Sequence, residues 1–261
     1  MQERHLDRLR YLKELANTSR EYYIDYIDAY FPRKSRCRIL EVGCGEGGNL
    51  LPFAERGAAV TGVDLSEMKI AQANSFYREL PYDAVFFAVN FFDFPYPDED
   101  KKYDIILVHD VIEHITPKDK FLKHLKPFLN EDGIVFWRFP AWQMPFGGHQ
   151  QICRNKFCSR LPFIHLLPAP VYRGILSSFG EDQSCIDELI DIKRCGVTIE
   201  MFEKLLKTND YISLNRCLWF INPHYKQKFN LKPRKLSVSL SHIRYVRNFF
   251  TTSCYYITKS V

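Results

Sequence analysis

The chain has 261 residues, of which 46% are hydrophobic and 15% aromatic, and its formal net charge is +5 at pH 7. It can bury a sizeable core, which excludes a disordered protein, and it lacks the roughly 18 uninterrupted apolar residues of a membrane-spanning helix. The eight cysteines include no C-x-x-C pair, which predicts reduced thiols and argues against zinc. With the charged start MQERHLDRLR, these features predict a soluble cytoplasmic protein.

Residues 1–36 are predicted to form a helical cap, separate from a domain at residues 37–261. Apolar residues repeat at helical spacing in two stretches that meet at Ser19 and end at Pro32: Leu6, Leu9, Leu12 and Leu15, then Tyr23, Ile24, Ile27 and Phe31. Tyr22, Tyr23 and Tyr26 either close over a ligand as a lid or pack against the domain, which is the commoner role of such a stripe.

Strands and helices alternate from residue 37 to residue 140. Predicted strands cover residues 37–43, 58–65, 84–89, 103–110 and 132–140; predicted helices cover residues 47–56, a stretch opened by Ser66, and a stretch capped by Thr116 and begun by Pro117. Such alternation requires crossover connections. It therefore predicts an α/β fold with a largely parallel sheet covered by helices on both faces.

The alternation stops at Ala141, and residues 141–197 show no clear strand. This insertion follows the carboxyl end of a strand, where open α/β sheets bind ligands, so we predict a substrate cap. Its apolar residues either contact the substrate or fold the insertion onto the sheet. Thr198 is the predicted N-cap of a helix that leads to two further strands, YISLNRCLWFI and CYYITKS.

The carboxyl-terminal part of the chain is basic. No acidic residue follows Asp210, whereas nine basic residues do: Arg216, Lys226, Lys228, Lys232, Arg234, Lys235, Arg244, Arg247 and Lys259. These charges either face an anionic substrate, a membrane surface or nucleic acid, or form a solvated face. They are spread over several segments instead of forming one run, which favours the solvated face.

The stretch ILEVGCGEGGNLLPF, residues 39–53, contains glycines 43, 45, 47 and 48. Such a turn brings free N–H groups close to a ligand, which suits either a dinucleotide or S-adenosylmethionine. Glu41 distinguishes the two, because its carboxylate repels a pyrophosphate and attracts the ammonium and sulfonium of S-adenosylmethionine. We therefore predict S-adenosylmethionine and disfavour NAD.

Two further strand ends carry side chains suited to an adenosine. Asp64 lies about 20 residues after the glycines, where it can accept hydrogen bonds from both ribose hydroxyls. Asn90 follows the third strand and can bond to the edge of an adenine. Phe91 either sandwiches the adenine or packs in the core.

Four segments between residue 37 and about residue 140 carry a family resemblance. They are EVGCGEGG, GVDLS, NFFDFP and YDIILVHDVIEHI. In their order and spacing, they resemble the class I S-adenosylmethionine-dependent methyltransferases. Within that family the chain is similar to the group that includes the ubiquinone-biosynthesis O-methyltransferases. The resemblance implies a Rossmann-like seven-stranded sheet in the order 3-2-1-4-5-7-6, with the last strand antiparallel. It implies cofactor contacts at Glu41, Gly43, Cys44, Gly45, Asp64, Leu65, Asn90 and Phe91. At position 90 the family more often has aspartate, so the implied contact of Asn90 with adenine is altered.

Histidines supply the candidate catalytic base. His149 lies in the PFGGHQQ loop after the fifth strand, where similar enzymes that methylate phenols carry a Gly-x-His loop, so we predict His149 as the base. Alternatively, His149 stabilises that loop, which we expected to be flexible. His109 closes the fourth strand and is the second catalytic candidate.

Asp110, Glu113 and His114 have the i, i+3, i+4 spacing that would place them on one helical face as ligands of a divalent ion. Related ubiquinone enzymes carry a similar E-V-x-E-H segment, which the resemblance links to metal. Asp110 and Glu113 also fit a helix capping box. We therefore predict no metal and keep these three residues as the alternative.

The predicted function is methyl transfer from S-adenosylmethionine to a small molecule, mainly to the oxygen of a phenolic, lipid-like or sugar-derived acceptor. Arg154, Lys156, Arg160 and Arg173 in the insertion favour an acceptor with an anionic group. Alternatives are a methyltransferase that acts on RNA or protein, and a non-catalytic scaffold that binds the cofactor. Peripheral membrane contact is compatible with the sequence, and a nucleic-acid partner is disfavoured.

Overall fold

The computed structural model describes residues 7–31 and 37–261. In these residues eight strands form one sheet, in the order β3-β2-β1-β4-β5-β8-β6-β7. The strands are β1 (Arg38–Val42), β2 (Ala59–Asp64), β3 (Ala84–Ala88), β4 (Tyr103–His109), β5 (Leu129–Phe139), β6 (Tyr211–Ile221), β7 (Arg234–Lys235) and β8 (Ser253–Ser260). Strands β1 to β5 are parallel, and β8 is antiparallel to both β5 and β6.

This topology confirms the predicted α/β fold with a Rossmann-like sheet. The predicted order also holds, because β8 is the strand that we expected as the seventh, between β5 and β6. The predicted number of strands was wrong by one, since β7 pairs with the outer edge of β6. A strand of two residues is too short to show an alternating pattern of apolar residues.

The helices cover both faces of the sheet, and none of those described is long and apolar enough to cross a membrane. They are α1 (Arg8–Thr18), α2 (Ile24–Asp28), α3 (Leu51–Ala54), α4 (Glu67–Tyr77), α5 (Lys118–Leu125), α6 (Lys156–Arg160), α7 (Ala169–Ser178), α8 (Gln183–Cys195), α9 (Ile199–Thr208), α10 (His224–Phe229) and α11 (Val238–His242). The predicted helix at residues 47–56 is shorter than expected, because the chain still turns up to Leu50.

The predicted helix starts are right at two positions and wrong at a third. Ser66 and Thr198 cap α4 and α9, since their hydroxyl oxygens accept hydrogen bonds from backbone N–H groups three residues later, at 3.4 and 3.0 Å. Thr116 does not cap α5. That helix begins at Lys118, with Pro117 before it and no side-chain cap.

The amino-terminal helices pack against the sheet as one continuous segment. A π-helix (Ser19–Tyr23) joins α1 to α2, so the predicted break at Ser19 is wrong. The Ser19 hydroxyl donates a hydrogen bond to the Asn49 carbonyl at 2.8 Å, which ties the segment to the glycine turn. Leu6 and Pro32, which the sequence analysis used to delimit these helices, lie outside the described residues.

Tyr23 and Tyr26 support packing instead of a lid. The Tyr23 ring is 1% exposed and contacts Phe136 and Tyr255 on strands β5 and β8. Tyr26 contacts the same two rings, and its hydroxyl donates a hydrogen bond to the Asn215 side chain at 2.7 Å. These aromatic contacts fix the helical segment on the sheet.

Residues 141–197 fold into three helices, α6 to α8, with a small core of their own. Its buried apolar residues include Cys153, Cys158, Ile164, Tyr172, Leu176, Cys185, Ile186, Leu189 and Ile190. No strand lies in this segment, as the sequence predicted. Helix α8 was not predicted, although the spacing of Ile186, Leu189 and Ile190 and the N-cap Asp182 are typical helix signals.

Candidate active site

The glycine turn after β1 requires glycine at several positions. Gly43, Gly45 and Gly47 have φ angles of +73°, +53° and +79°. A Cβ atom at Gly43 would overlap the Val111 side chain, and one at Gly47 would lie 2.7 Å from the Phe86 ring. The turn is therefore a cradle of backbone that any larger side chain would fill or distort.

Glu41 lies inside the protein below this turn. Its side chain is fully buried, and the Asn49 amide donates a hydrogen bond to Oε1 at 2.7 Å. Oε2 has no hydrogen-bond partner among the described residues. Burial, together with the nearby charge of Asp64, raises the pKa of Glu41 to about 8, because both disfavour the ionised form. A cation at the turn would restore the ionised form.

Asp64 ends β2 beside the same turn. Oδ2 accepts a hydrogen bond from the Gly45 N–H, and Oδ1 accepts one from the Ser66 N–H, both at 2.9 Å. Each oxygen keeps a second lone pair for a ligand hydroxyl. The neighbouring Leu65 side chain is 74% exposed, an apolar surface beside the carboxylate that a ligand ring can cover.

The other predicted cofactor residues differ in whether their side chains are exposed or buried. Asn90 is exposed, and its side-chain oxygen accepts a hydrogen bond from the Phe92 N–H at 3.1 Å. The Phe91 ring is 6% exposed and packs in the core against Phe128, which favours the packing alternative over a sandwich with adenine. Cys44 is also buried, so only its backbone can face a ligand.

A cavity of about 640 Å³ lies between the sheet and the insertion. Strand ends and the carboxyl-terminal part contribute polar side chains to it, and the insertion contributes the opposite wall. Residues that line it include Asp110, Arg138, Met144, His149, Cys185 and His224. Because Val111 touches Gly43 and Asp110 lines the cavity, the end of β4 separates the glycine turn from this cavity.

His149 reaches the cavity from a tightly packed loop, which corrects the expected flexibility. Its φ angle is +57°. A Cβ atom at Gly147 would overlap the Trp142 carbonyl, and one at Gly148 would overlap His165. The fully buried Gln150 side chain donates hydrogen bonds to the backbone carbonyls of residues 145 and 161, at 2.9 and 3.2 Å. The loop therefore holds His149 at a fixed position.

The electrostatic surroundings keep His149 neutral. Burial, together with the nearby His114 and Arg138, lowers the pKa of His149 to about 4. A neutral imidazole has a free lone pair, so His149 is able to accept a proton at neutral pH.

His109 does not line the cavity described above. Its side chain is 12% exposed, its ring packs against Tyr23, and Nε2 is buried without a hydrogen-bond partner among the described residues. Burial lowers the pKa of His109 well below its usual value. This position favours a structural role over the predicted catalytic one.

Asp110 does not join Glu113 and His114 in the arrangement that the sequence suggested. The chain forms a short 3₁₀ turn at Ile112–His114, and Asp110 adopts a φ angle of +52°, so no helical face is formed. The Asp110 carboxylate pairs with the Arg138 guanidinium instead. The predicted capping box is also absent, because the N-cap residue of this turn is Val111 and not Asp110.

Glu113 and His114 instead lie together with His149. Their ligand atoms are all within 4.8 Å of one another, and the two imidazole rings are 4.9 Å apart. Both carboxylate oxygens of Glu113 are buried without a hydrogen-bond partner among the described residues, and burial raises the pKa of Glu113 to about 8. Glu113 is therefore neutral at pH 7 and can share a proton with its histidine neighbours.

The family model for a methyltransferase domain matches residues 13–162, more than half of the chain. This chain belongs to the class I S-adenosylmethionine-dependent methyltransferase family. The glycine turn, Glu41 and Asp64, which carried the resemblance in the sequence, all lie within the matched residues.

Curated relatives of this methyltransferase match about 40% of its length. The ubiquinone biosynthesis O-methyltransferase of Rickettsia akari is 32% identical over 112 residues, 41% of this chain and 43% of the relative. The (S)-tetrahydroprotoberberine N-methyltransferase of Eschscholzia californica is 37% identical over 106 residues, 38% of this chain and 28% of the relative. The chain thus spans less than half the length of these relatives.

Solved methyltransferase structures share the fold over nearly the whole chain. The plantazolicin methyltransferase BpumL, in complex with a substrate analogue and S-adenosylhomocysteine (SAH), covers 97% of this chain and 85% of its own, with 18% identity and a TM-score of 0.56. The geranyl diphosphate C-methyltransferase of Streptomyces coelicolor covers 90% and 76%, with 14% identity and a TM-score of 0.58. At these identities the likeness concerns the fold.

Sequence reasoning missed most of the side chains that line the cavity of this methyltransferase, among them Arg138 and His224. Arg138 is only 5% exposed and lies on β5, in the apolar run GIVFWRF, where a charged residue is unusual and is itself a signal. His224 begins α10 and is held by a 3.0 Å hydrogen bond between Nδ1 and the Thr18 hydroxyl. Nothing in the local sequence indicates that α10 reaches the cavity.

Proposed function

We propose that the protein transfers a methyl group from S-adenosylmethionine to an oxygen atom of a small molecule, with His149 as the general base. One observation carries this proposal: a rigid glycine loop presents a neutral imidazole to a cavity that only Asp110 and Val111, at the end of β4, separate from the glycine turn. The cavity volume of about 640 Å³ is in the range of small-molecule sites.

The cofactor site is proposed at the carboxyl ends of β1 to β3. Gly43, Cys44 and Gly45 would contribute backbone to the cradle, and Asp64 would accept the ribose hydroxyls. Glu41 would stabilise the positive charge of the cofactor through the turn, since its orphaned oxygen and raised pKa report a buried acid without a cation. Leu65 and Asn90 would border the adenine, with Phe91 contributing through its backbone.

When bound, the cofactor would supply an electrophilic methyl group on its sulfonium, and in-line attack by the acceptor oxygen on that carbon would break the C–S bond and release S-adenosylhomocysteine. The protein has to orient the acceptor oxygen and remove its proton. His149 accepts that proton, and its loop prevents the imidazole from moving away. The ion pair of Asp110 and Arg138 lines the cavity, where it orients polar groups of the acceptor without adding net charge.

Residues 141–197 form the proposed substrate cap, and residues 1–36 form the proposed amino-terminal cap. The first proposal is supported by the cavity wall, which includes Met144, Phe146 and Ile152. The second is supported by two contacts. The Ser19 hydroxyl donates a hydrogen bond to the Asn49 carbonyl, and the Leu12 carbonyl oxygen of α1 is so near Gly48 that an added Cβ atom would lie 2.8 Å from it. The amino-terminal segment thus packs directly on the glycine turn.

The proposed acceptor combines polar and apolar parts. Of the basic residues that suggested an anionic acceptor, Arg154 lines the cavity but pairs with Asp182 at 2.8 Å, and Arg173 pairs with Asp187 at 3.0 Å. Several carboxyl-terminal basic residues also form ion pairs with acidic ones: Arg216, Lys226, Arg247 and Lys259. These pairs weaken the case for nucleic acid and favour a small polar acceptor.

Calorimetry followed by an acceptor screen tests the proposal. The protein should bind S-adenosylmethionine and SAH, and one member of a panel of phenols, hydroxylated lipids and sugar derivatives should gain the mass of one methylene group. Tandem mass spectrometry then places the methyl group on oxygen. Methylation only of nitrogen or carbon would refute the assignment of the atom, and no binding of either cofactor form would refute the function.

A further inference from the structure

Two cysteines and a glutamate from distant parts of the insertion meet in its small core. Cys153 follows a 3₁₀ turn, Glu181 lies between α7 and α8, and Cys185 lies in the first turn of α8. Their sulfur and oxygen atoms all lie within 4.8 Å of one another, and all three side chains are buried. This cluster is separate from Glu113, His114 and His149.

The glutamate is held with both oxygens oriented. The backbone N–H groups of Arg154 and Asn155 donate hydrogen bonds to its two carboxylate oxygens, at 3.0 and 2.8 Å. The Cys185 sulfur lies within 4.8 Å of both the Glu181 carboxylate and the Cys153 sulfur. Each carboxylate oxygen has a lone pair beyond its amide bond, so Glu181 can still act as a ligand.

A second observation points to a ligand at this cluster. Tyr172 is fully buried, and its hydroxyl has no hydrogen-bond partner among the described residues. Tyr172 packs in the same small core as Cys153, Cys158 and Cys185. A buried hydroxyl needs a hydrogen-bond acceptor, and a metal-bound thiolate is a strong one.

We propose that Cys153, Glu181 and Cys185 bind a zinc ion. Two thiolates and a carboxylate suit Zn²⁺, whereas Mg²⁺ and Ca²⁺ prefer ligand sets made only of oxygen. Zinc in proteins is usually four-coordinate, so a water molecule from the cavity that Cys185 lines would fill the fourth position. On binding, two S–H bonds break, two Zn–S bonds form and the two protons pass to solvent.

The ion would link the loop that carries His149 to helix α8 within the cap. Cys153 follows His149 by four residues, and Cys185 both opens α8 and lines the cavity. A small core gains much from such a cross-link, because it cannot bury enough apolar surface alone. The sequence argued against zinc because these cysteines lack a C-x-x-C spacing, and only the folding of the insertion brings them together.

Elemental analysis of the full-length protein, purified without chelators, tests the proposal. We expect about one zinc ion per chain. Replacement by Co²⁺ should give the ultraviolet absorption of cobalt–thiolate bonds, a signature that a carboxylate or imidazole site would not show. Cys153→Ser and Cys185→Ser should lose the metal and this absorption, whereas Cys195→Ser, at the other end of α8, should retain both.

Two further measurements keep the test decisive if a cysteine variant fails to fold. Tyr172→Phe preserves the packing and should lower zinc affinity by about 10- to 100-fold, since it removes a second-shell hydrogen bond. Intact mass under non-reducing conditions detects a disulfide by the loss of two hydrogens. Folded protein that contains no zinc and takes up no Co²⁺, or a disulfide between Cys153 and Cys185, would overturn the proposal.

Discussion

The two sides of the proposed active site are built in different ways. On the cofactor side, a short stretch of backbone at the end of β1 makes the cradle, and the positive φ angles of Gly43, Gly45 and Gly47 define its shape. On the acceptor side, side chains from the segment after β4, from β5, from the insertion and from α10 converge on one cavity. Local sequence specifies the first arrangement, and tertiary packing specifies the second.

Because of this difference, we expect substitutions on the two sides to affect different quantities, cofactor affinity on one side and turnover on the other. Changes at the glycine turn should affect mainly cofactor affinity, because the proposed cofactor site lies at this turn, on the other side of the end of β4 from the cavity. Changes in the cap should affect mainly turnover, because the cap carries the proposed base and would cover the acceptor. Four substitutions test this division, and they are ordered by the size of the expected effect.

His149→Gln tests the acceptor side most directly. Loss of a general base should lower kcat by about 100- to 10,000-fold, while the Kd for SAH stays unchanged. The measurement is a turnover assay with an acceptor from the screen, together with calorimetry. Because the pKa of His149 is lowered to about 4, the wild-type rate should fall only as the pH drops toward 4, instead of near 6.5.

The matched control is His109→Gln, which changes the other candidate base. His109 packs against Tyr23 and is not among the residues that line the cavity, so this variant should lower the melting temperature and leave kcat unchanged. The opposite result, a large loss of kcat in His109→Gln and none in His149→Gln, would exchange the roles of the two histidines.

Gly43→Ala tests the cofactor side. The new methyl group would overlap Val111, and a non-glycine residue at a φ angle of +73° costs about 1–3 kcal/mol. We expect SAH affinity to fall by about 10- to 100-fold, measured by calorimetry. Gly57→Ala is the control, because Gly57 has a φ angle of +83° with no atom within 4 Å of an added Cβ. Equal SAH affinity in both variants would place the cofactor elsewhere.

Glu41→Gln tests whether a buried acid selects a cation. With a pKa of about 8, Glu41 is protonated in the free protein at neutral pH, and a bound ammonium should draw off the proton. SAH should therefore bind more tightly as the pH rises from about 6 to 8, with proton release. Glu41→Gln should bind about 10-fold more weakly at pH 8, without this pH dependence.

The stability of the free protein gives an independent check on Glu41. A carboxyl group whose pKa is raised on folding stabilises the fold while protonated, so its contribution is lost as the pH rises from about 4.5 through 8. Denaturant unfolding should show Glu41→Gln gaining stability relative to wild type across this range. A difference that does not depend on pH would mean that Glu41 is already ionised in the fold.

The same division explains how much the sequence could predict. Strands β1 to β5, the glycine turn and Asp64 follow from local patterns, because alternation and turn residues act over a few positions. The pairing of Asp110 with Arg138 and the approach of His149 to Glu113 depend on contacts between segments about 28 to 36 residues apart, as the residue numbers show. Such contacts leave no periodic signal in one sequence. Helix α8 was missed despite such a signal, because the prolines and glycines before it suggested an irregular segment.

Gly174→Ala should produce the smallest change of the four substitutions. It tests whether the cap unfolds separately from the sheet. Gly174 is exposed inside α7, and no atom lies within 4 Å of an added Cβ, so alanine should stabilise the helix by about 0.5–1 kcal/mol. Because the cap has its own core, we expect amide exchange in α7 and α8 to slow by about 2- to 5-fold, with no change in the unfolding of the sheet. Gly180→Ala, at a φ angle of +78° with equally open surroundings, should speed exchange in the same helices. If both variants instead shift the melting temperature of the whole protein, the cap and the sheet unfold as one unit, and the cap cannot open separately to admit the acceptor.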